Sequence, residues 1–232
     1  MCGRFALGIP RKKLRERFSL EGLPDAPPRF NIAPGQLVEA ILEMETSGGV
    51  KRRAGLFHWG LVPSWAREPA MGARMINARA ETAAEKPAFR AAMRRRRCLV
   101  PAQGFYEWSG PPKHRQPWFL TPRDRTVMAL AGIWEHYESP DGEIIESLAL
   151  LTCEANGLVS PIHGRMPVAV RPEDDARWLD PRIQDPRDVA DILAPREWPE
   201  MKAYKVSPRV NAAVNEGPDL IEPWPPLGGG AG

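Results

Sequence analysis

The sequence contains few cysteines and few histidines. Its 232 residues include three cysteines, Cys2, Cys98 and Cys153, and four histidines. The cysteines are odd in number and widely spaced and form no CxxC pair, which argues against a disulfide framework and against a zinc site. We therefore expect reduced thiols and no bound metal or other cofactor.

Long hydrophobic runs are also absent. Apolar stretches such as VMALAGIW, residues 127–134, are far shorter than the roughly 20 residues that a membrane-spanning helix needs. The opening residues, MCGRFALGIPRKK, lack the apolar segment of a secretory signal. These absences predict a cytoplasmic protein that does not associate with membranes.

Charge is unevenly distributed along the chain. Residues 1–130 carry 23 Lys and Arg against 11 Asp and Glu, whereas residues 131–232 carry 9 against 18. A basic face of this kind favours a polyanion such as nucleic acid as the partner. The alternative is that the two halves interleave in the fold, so that the opposite charges average out.

The sequence pattern predicts a single β-rich domain. A 43% hydrophobic content is that of an ordinary globular protein, and strand-length apolar segments alternate with turns rich in Pro and Gly. A helix is predicted near residues 11–20, with Leu14 and Phe18 on one face, and another near 81–97 is interrupted at Pro87. We predict an α+β fold over residues 1–222, with a barrel-like antiparallel core flanked by short helices, and a flexible tail over 223–232.

Cys2 is the first candidate for chemistry. Loss of Met1 would leave an amine and a thiol on the same residue, a 1,2-aminothiol. An α-amine has a pKa of about 8 and a thiol one of about 8.5, so a useful fraction of each is nucleophilic near neutral pH. Both groups can attack an aldehyde, although from this residue alone the simpler interpretation is that Cys2 merely follows the start codon.

Ordered motifs along the chain carry a family resemblance. They are MCGRF (1–5), FNIAPG (30–35), WGLVPSW (59–65), INARAET (76–82), CLVPAQGFYEW (98–108), LLTCEAN (150–156), HGRMPV (163–168) and VSPRVN (206–211). Together these motifs resemble the SOS response-associated peptidase family, the abasic site processing proteins that crosslink themselves to DNA. Gly164 departs from the pattern, since many relatives have an acidic residue at this position.

The resemblance implies a catalytic set of Cys2, Asn77, Glu107 and His163. Asn77 would hold Cys2 toward the incoming sugar, because an amide can both donate and accept hydrogen bonds. Glu107, whose pKa burial would raise, would transfer protons during imine formation and reversal. His163 would protonate the deoxyribose ring oxygen and help to open the sugar. Without the resemblance, a turn asparagine, an ion-paired glutamate and a structural histidine would be the simpler interpretations.

The resemblance also implies a DNA-binding set. Arg4, Arg79 and Arg165 each lie within two residues of a catalytic candidate, and a guanidinium group suits the phosphates beside a lesion. Trp65 could stack on an unpaired base, whereas Trp59 could equally be a core residue. The run Arg94–Arg97 could contact DNA or could be a solvated face.

The resemblance predicts covalent capture of abasic sites. The expected partner is single-stranded DNA that contains an abasic site, trapped as a thiazolidine by Cys2 of a monomer that lies with the nucleoid when bound to DNA. The expected enzyme also removes its own Met1 by a peptidase-type reaction. Two alternatives remain open: an N-terminal-nucleophile cysteine peptidase, acting on itself or in trans, and a non-covalent single-strand binder.

Overall fold

The structure is a computed structural model that describes residues 2–23 and 26–225. Within these ranges the strands are β1 (Phe5–Leu7), β2 (Arg29–Ile32), β3 (Leu37–Thr46), β4 (Gly49–Trp59), β5 (Asn77–Arg79), β6 (Arg97–Ala102), β7 (Gly104–Ser109), β8 (Gln116–Pro122), β9 (Met128–Glu138), β10 (Ile144–Glu154), β11 (Arg165–Pro167), β12 (Ala169–Val170) and β13 (Met201–Lys205). The α-helices are α1 (Arg11–Phe18), α2 (Ala80–Ala83), α3 (Arg90–Arg95), α4 (Asp175–Leu179) and α5 (Ala190–Leu193). Short 3₁₀ turns join several of these elements.

A closed ring of five strands forms the centre of the molecule. β10 pairs with β4, β4 with β3, β3 with β6, β6 with β9, and β9 returns to β10. The strands of this ring are rich in Ala, Val, Ile and Leu, and their buried side chains form the main hydrophobic core. The predicted α+β fold with a β-rich core is therefore confirmed.

Different parts of strand β10 pair with different neighbouring strands. Its first part pairs with β9, its middle pairs with β4 and β5, and its end pairs with β11. The pairings of β10 with β4 and β5 are parallel, although the sequence favoured an antiparallel core. Parallel strands need a long crossover connection, and the chain between β4 and β10 supplies one through other elements of the fold.

A second sheet, in the order β13-β8-β7-β1-β2, lies beside the ring. In this sheet β1 runs antiparallel to β7, with Phe5 opposite Phe105 and Ala6 opposite Gly104. This pairing brings the first residues of the chain alongside the middle of β7. The 3₁₀ turns Pro208–Asn211 and Pro218–Ile221 add Val210 and Leu220 to the buried cluster on the outer face of the sheet.

Both predicted helical segments form, and the second of them is divided. Leu14 and Phe18 of α1 are buried one turn apart, as predicted. The helical segment predicted at 81–97 is two separate helices, α2 and α3, on either side of Pro87, which lacks the N–H that a continuous helix requires. No helix within the described ranges is long and apolar enough to cross a membrane.

The basic and acidic halves of the sequence are not separate in space. β13 pairs with β8, and β10 pairs with β4 and β5, so strands of the second half lie against strands of the first. Residues 223–225, assigned from sequence to a tail, are described: Pro223 pairs with Val206, and the Trp224 N–H donates to Lys205 O at 2.9 Å. The rest of the predicted tail, 226–232, lies outside the described residues.

Candidate active site

Cys2 lies just before β1 and is completely buried. The side-chain amide of Asn77, Nδ2, donates a hydrogen bond of 2.7 Å to Cys2 O. Asn77 is held by β5, which pairs with β10 at Leu150, so the bond ties the start of the chain to the edge of the central ring. Asn77 Oδ1 is buried and has no hydrogen-bond partner among the described residues.

Glu107 lies in β7, on the same side of the sheet as Cys2. Side chains alternate along the strand, so that Phe105 joins the main core and Tyr106 joins the outer cluster. The same period of two directs Glu107 back toward Phe105 and the main core. Glu107 is 2% exposed; this burial raises the pKa of its carboxyl group, and the nearby charge of His163 acts in the opposite direction.

The Cys2 thiol shares this environment. Burial, followed by the negative charge of Glu107, raises the pKa of the thiol far above its usual range. The Sγ atom lies 3.9 Å from Arg4 O, to which the S–H group donates a weak hydrogen bond. The thiol is therefore protonated at neutral pH in this state of the protein.

His163 lies in the loop between β10 and β11, and its Nδ1 atom contacts the backbone of Arg165. The Arg165 N–H donates to Nδ1 at 3.0 Å, while Arg165 O lies 3.1 Å from the same atom. One neutral tautomer accepts the N–H, and the other tautomer, like the charged ring, donates from Nδ1 to the carbonyl. Nδ1 thus has a backbone partner in either tautomer and in the charged ring.

One hydrogen bond and two electrostatic interactions connect the four predicted catalytic residues. Asn77 bonds to Cys2, the charge of Glu107 acts on the Cys2 thiol, and the charge of His163 acts on Glu107. The four residues come from four separate parts of the chain. Their side-chain chemistry comprises a nucleophile, a carboxyl group with a raised pKa, an imidazole, and an amide whose Oδ1 atom has no hydrogen-bond partner among the described residues.

The predicted DNA-binding arginines differ in how they are held. Arg4 is half-buried, and its Nη1 donates to Asn31 Oδ1 at 2.5 Å and to Val210 O at 2.7 Å. Burial lowers its pKa below the usual range for arginine. Arg79, by contrast, is exposed at the end of β5.

Arg165 donates hydrogen bonds to Glu81 and Thr152, two residues that the sequence pattern did not indicate as its partners. Its Nη1 and Nη2 atoms bond to the two carboxylate oxygens of Glu81 at 2.7 and 2.8 Å, and Nη2 also donates to Thr152 O at 2.6 Å. Glu81 and Arg165 lie 84 positions apart, so sequence spacing did not reveal this pair. Asn31, which anchors Arg4, was missed for the same reason, although both Glu81 and Asn31 lie within the quoted motifs.

The aromatic residues of the WGLVPSW motif have different environments. Trp59 is 1% exposed and packs at 5.2 Å against Phe5, which identifies it as a core residue. Trp65 is 57% exposed in the loop after β4. At Gly164 an added Cβ would meet no atom within 4 Å, so space around this position does not require a glycine.

Within residues 2–23 and 26–225, no group of three or more His, Cys, Asp or Glu side chains is arranged to hold a metal ion. The fold and the site together define a class of β-rich α+β proteins in which a buried cysteine precedes the first strand and lies near an amide, a carboxyl group and an imidazole. The chain belongs to the SOS response associated peptidase (SRAP) family, whose model matches residues 1–213.

Individual relatives extend the match over nearly the whole chain. The abasic site processing protein YoqW of Bacillus subtilis is 38% identical over 226 residues, which cover 96% of this chain and 99% of the relative. The abasic site processing protein HMCES of Rattus norvegicus is 27% identical, covering 96% of this chain and 76% of that protein. The predicted family membership is therefore confirmed.

Solved structures share the fold. A Bacteroides thetaiotaomicron protein superposes with a TM-score of 0.82 at 23% identity, covering 96% of this chain and 99% of its own. A Bordetella bronchiseptica protein gives a TM-score of 0.75 at 25% identity, covering 89% of this chain and 100% of its own. The first likeness, at this low identity, concerns the fold alone.

Proposed function

We propose that this protein captures abasic sites in single-stranded DNA as a covalent thiazolidine at Cys2, and so shields the lesion. The observation that carries the proposal is the arrangement of four residues: Asn77 bonds to Cys2 O, the charge of Glu107 acts on the Cys2 thiol, and the charge of His163 acts on Glu107. It surrounds Cys2 with groups that can position an aldehyde and move protons. The names of the relatives supply the substrate class.

The proposed chemistry begins with loss of Met1, in which hydrolysis of the Met1–Cys2 bond consumes one water and exposes the Cys2 amine. The amine adds to C1′ of the ring-opened sugar, and loss of water gives a Schiff base. The thiol then forms the S–C1′ bond while its proton passes to the imine nitrogen, which becomes a secondary amine. The raised pKa of the thiol suits this order, because the amine reacts first and the thiol can remain protonated until ring closure.

Glu107 and His163 would transfer the protons. Burial raises the pKa of the Glu107 carboxyl group, which favours its use as a proton donor as well as an acceptor, as dehydration of the carbinolamine requires. His163, with a backbone partner for Nδ1 in every protonation state, would use Nε2 to protonate the sugar ring oxygen and open the ring.

Asn77 would position the reacting groups. Its Nδ2 already holds Cys2 O at 2.7 Å, while the buried Oδ1 has no partner within the described chain. We propose that Oδ1 accepts a hydrogen bond from the Cys2 amine once Met1 is removed. Asn77→Asp would replace the donor with a charged acceptor and lose the bond to Cys2 O.

The predicted DNA-binding residues would contact DNA to different extents, because their side chains differ in exposure. Arg79 is exposed and would contact the phosphate beside the lesion, and Trp65 would stack on a neighbouring base. Arg4 and Arg165 already have protein partners, so they would offer a phosphate only their remaining N–H groups. Arg79→Ala should therefore weaken DNA binding more than Arg165→Ala does.

A denaturing gel tests the capture of DNA. Protein whose Met1 loss has been checked by mass spectrometry is mixed with a single-stranded oligonucleotide that carries one abasic site, beside Cys2→Ala and Cys2→Ser. We expect a shifted band for the wild type alone, since the serine hydroxyl is far less nucleophilic than a thiol. A stable shifted band with Cys2→Ala would disprove the assignment.

The family description names a peptidase. We propose that the peptidase step in this protein is the removal of its own Met1. We propose that Glu107 acts as the base in this hydrolysis. In a translation mixture depleted of methionine aminopeptidase, the wild type should lose Met1 while Glu107→Ala retains it. Equal Met1 loss from both proteins would instead assign the step to another catalyst or to a different residue.

A further inference from the structure

Three arginines of α3 form an exposed basic surface. The helix buries Ala92 and Met93 against the body of the protein and exposes Arg90, Arg94 and Arg95. We call these three residues the α3 arginine surface. With Ala91 and Arg96 they line a groove of about 350 Å³ that no acidic side chain lines.

The charge of this surface is not neutralised by ion pairs. Among the described residues, Arg90, Arg94 and Arg95 make no side-chain hydrogen bond or salt bridge, whereas the next two residues do: Arg96 pairs with Glu135 at 2.7 Å, and buried Arg97 donates to backbone carbonyls. Other arginines pair with aspartates, namely Arg177, Arg182, Arg187, Arg196 and Arg209.

The charge of Arg94 acts on one acid, Asp185, and this carboxylate is already paired. Its carboxylate bonds to Arg187, which lowers its pKa to about 2, with a smaller contribution from Arg94. Asp185 therefore cannot neutralise the α3 arginine surface to any large extent.

Helix stability does not explain all three arginines. Cations near a helix C-terminus interact favourably with the helix dipole, and this accounts for Arg94 and Arg95 in the last turn of α3. Arg90 is the first residue of the same helix, where a positive charge is unfavourable. An external anion accounts for all three positions.

Along the chain, α2 lies between the candidate active site and the α3 arginine surface. β5, which carries Asn77 and Arg79, is followed directly by α2. A second groove, of about 310 Å³, is lined by Ala80, Glu81 and Ala84 from α2 or just after it and by Met93 of α3. This groove therefore has residues of both α2 and α3 in its lining.

We propose that the α3 arginine surface binds the sugar–phosphate backbone of the captured strand beyond the lesion. This inference rests on the proposed function, to which it adds a second, sequence-independent contact. A concave surface of one charge sign concentrates polyanions, and each phosphate contact releases a counterion, so the contact adds affinity and salt dependence without base recognition.

The test measures non-covalent binding in the Cys2→Ala background. The variant is Arg90→Gln/Arg94→Gln/Arg95→Gln, and the matched control is Lys12→Gln/Lys13→Gln/Arg15→Gln, which removes the same charge from exposed positions of α1. Oligonucleotides of about six and about 20 nucleotides, each with a reduced abasic site, distinguish binding at the lesion from binding along the strand. Melting temperatures verify that both variants fold.

We expect the α3 variant to bind the long strand at least about tenfold more weakly. The slope of log K against log salt should also be smaller by roughly 2, because each phosphate contact with a single strand contributes about 0.7 to this slope. Binding of the short strand should be unchanged, and the α1 control should match the unmodified background on both strands. Equal losses in the two triple variants, or equal losses on the two strands, would overturn the proposal.

A failure of this proposal can be distinguished from a failure of the proposed covalent capture. Crosslinking of the short strand by protein with Cys2 intact tests covalent capture alone, and it should be the same with and without the α3 substitutions. Unchanged DNA binding together with lost binding to polyglutamate would overturn the proposal in favour of an acidic protein partner.

Discussion

At the scale of single residues, the burial of Glu107 has opposite effects on proton transfer and on the stability of the fold. Its carboxyl group is 2% exposed, and burial raises its pKa, so the folded protein holds its proton more tightly than the unfolded chain does. The raised pKa favours proton donation by Glu107, but it lowers the stability of the fold when the group is ionised. The site therefore contains a carboxyl group that destabilises the fold whenever it is ionised.

Glu107→Gln should raise the melting temperature by several degrees at pH 8. Because the folded pKa is raised, stability falls as pH increases from about 4.5 through the folded pKa, and the full loss is present above it. Glutamine resembles the protonated acid, so the gain should vanish near pH 4. Calorimetry across this range, with exposed Glu138→Gln as the control, measures the effect. A gain that did not change with pH would contradict the ionisation argument.

Glu81 and His163 both contact Arg165. The guanidinium group of Arg165 is clamped by Glu81 and Thr152, while its backbone N–H and carbonyl contact His163 Nδ1. Loss of the clamp should loosen the imidazole. We therefore expect Glu81→Gln to slow crosslinking about tenfold, because small displacements of a reacting group are costly.

The readouts for Glu81→Gln are the crosslinking rate against pH and the affinity for DNA in the Cys2→Ala background. Affinity should stay the same or increase, since a negative charge beside the phosphate path is removed. Glu85→Gln, an exposed position just after α2, is the matched control. Reduced affinity with a normal rate would instead mean that the clamp serves DNA binding.

At the scale of elements, Arg97 joins α3, α4 and β6. Its side chain is 3% exposed and donates to Trp178 O at 2.6 Å, Asp180 O at 2.6 Å and Met93 O at 3.1 Å. Burial lowers its pKa to about 10. One arginine thus satisfies carbonyl groups at the ends of two helices while packing on the Trp178 ring.

Arg97→Met should destabilise the protein by about 3 kcal/mol or more, because it leaves several buried carbonyl oxygens without donors. Denaturant unfolding measures the loss. Exposed Arg95→Met is the control and should change the free energy of unfolding by less than about 0.5 kcal/mol. Similar effects from the two variants would show that the carbonyl bonds of Arg97 contribute little.

At the scale of the whole molecule, the last described segment closes the outer face of the second sheet. Leu220 is completely buried with Val206, Val210, Tyr106 and Phe119, and Tyr106 OH donates to Phe30 O at 2.6 Å. Asn31 links the same segment to Arg4, since its Nδ2 donates to Ala212 O and Asn215 O. The end of the fold therefore supports residues beside the candidate site.

Leu220→Ala should cost about 2 to 5 kcal/mol, because it leaves a cavity in this cluster. For a protein of this size the loss corresponds to a fall of roughly 5 to 15 °C in melting temperature. Val214→Ala, at a position 88% exposed in the same segment, should have almost no effect. A small effect at Leu220 as well would mean that the segment packs only loosely.

Local patterns determined much of the architecture. Strand-length apolar segments predicted the β-rich core, and Leu14 and Phe18 predicted the buried face of α1, because alternation and helical periodicity reflect which side of an element is buried. The ordered motifs also indicated the family and named the four residues that the fold brings together.

Only the tertiary structure decided which distant residues meet. The parallel pairing of β10, the Glu81–Arg165 pair and the Arg4–Asn31 bond join positions far apart in the chain, where no sequence period applies. The run Arg94–Arg97 illustrates the limit: Arg97 is buried and structural, Arg96 is ion-paired, and Arg94 is exposed. Identical side chains acquire different roles because burial and neighbouring charges, which depend on the packing of the whole chain, determine what a guanidinium group contacts.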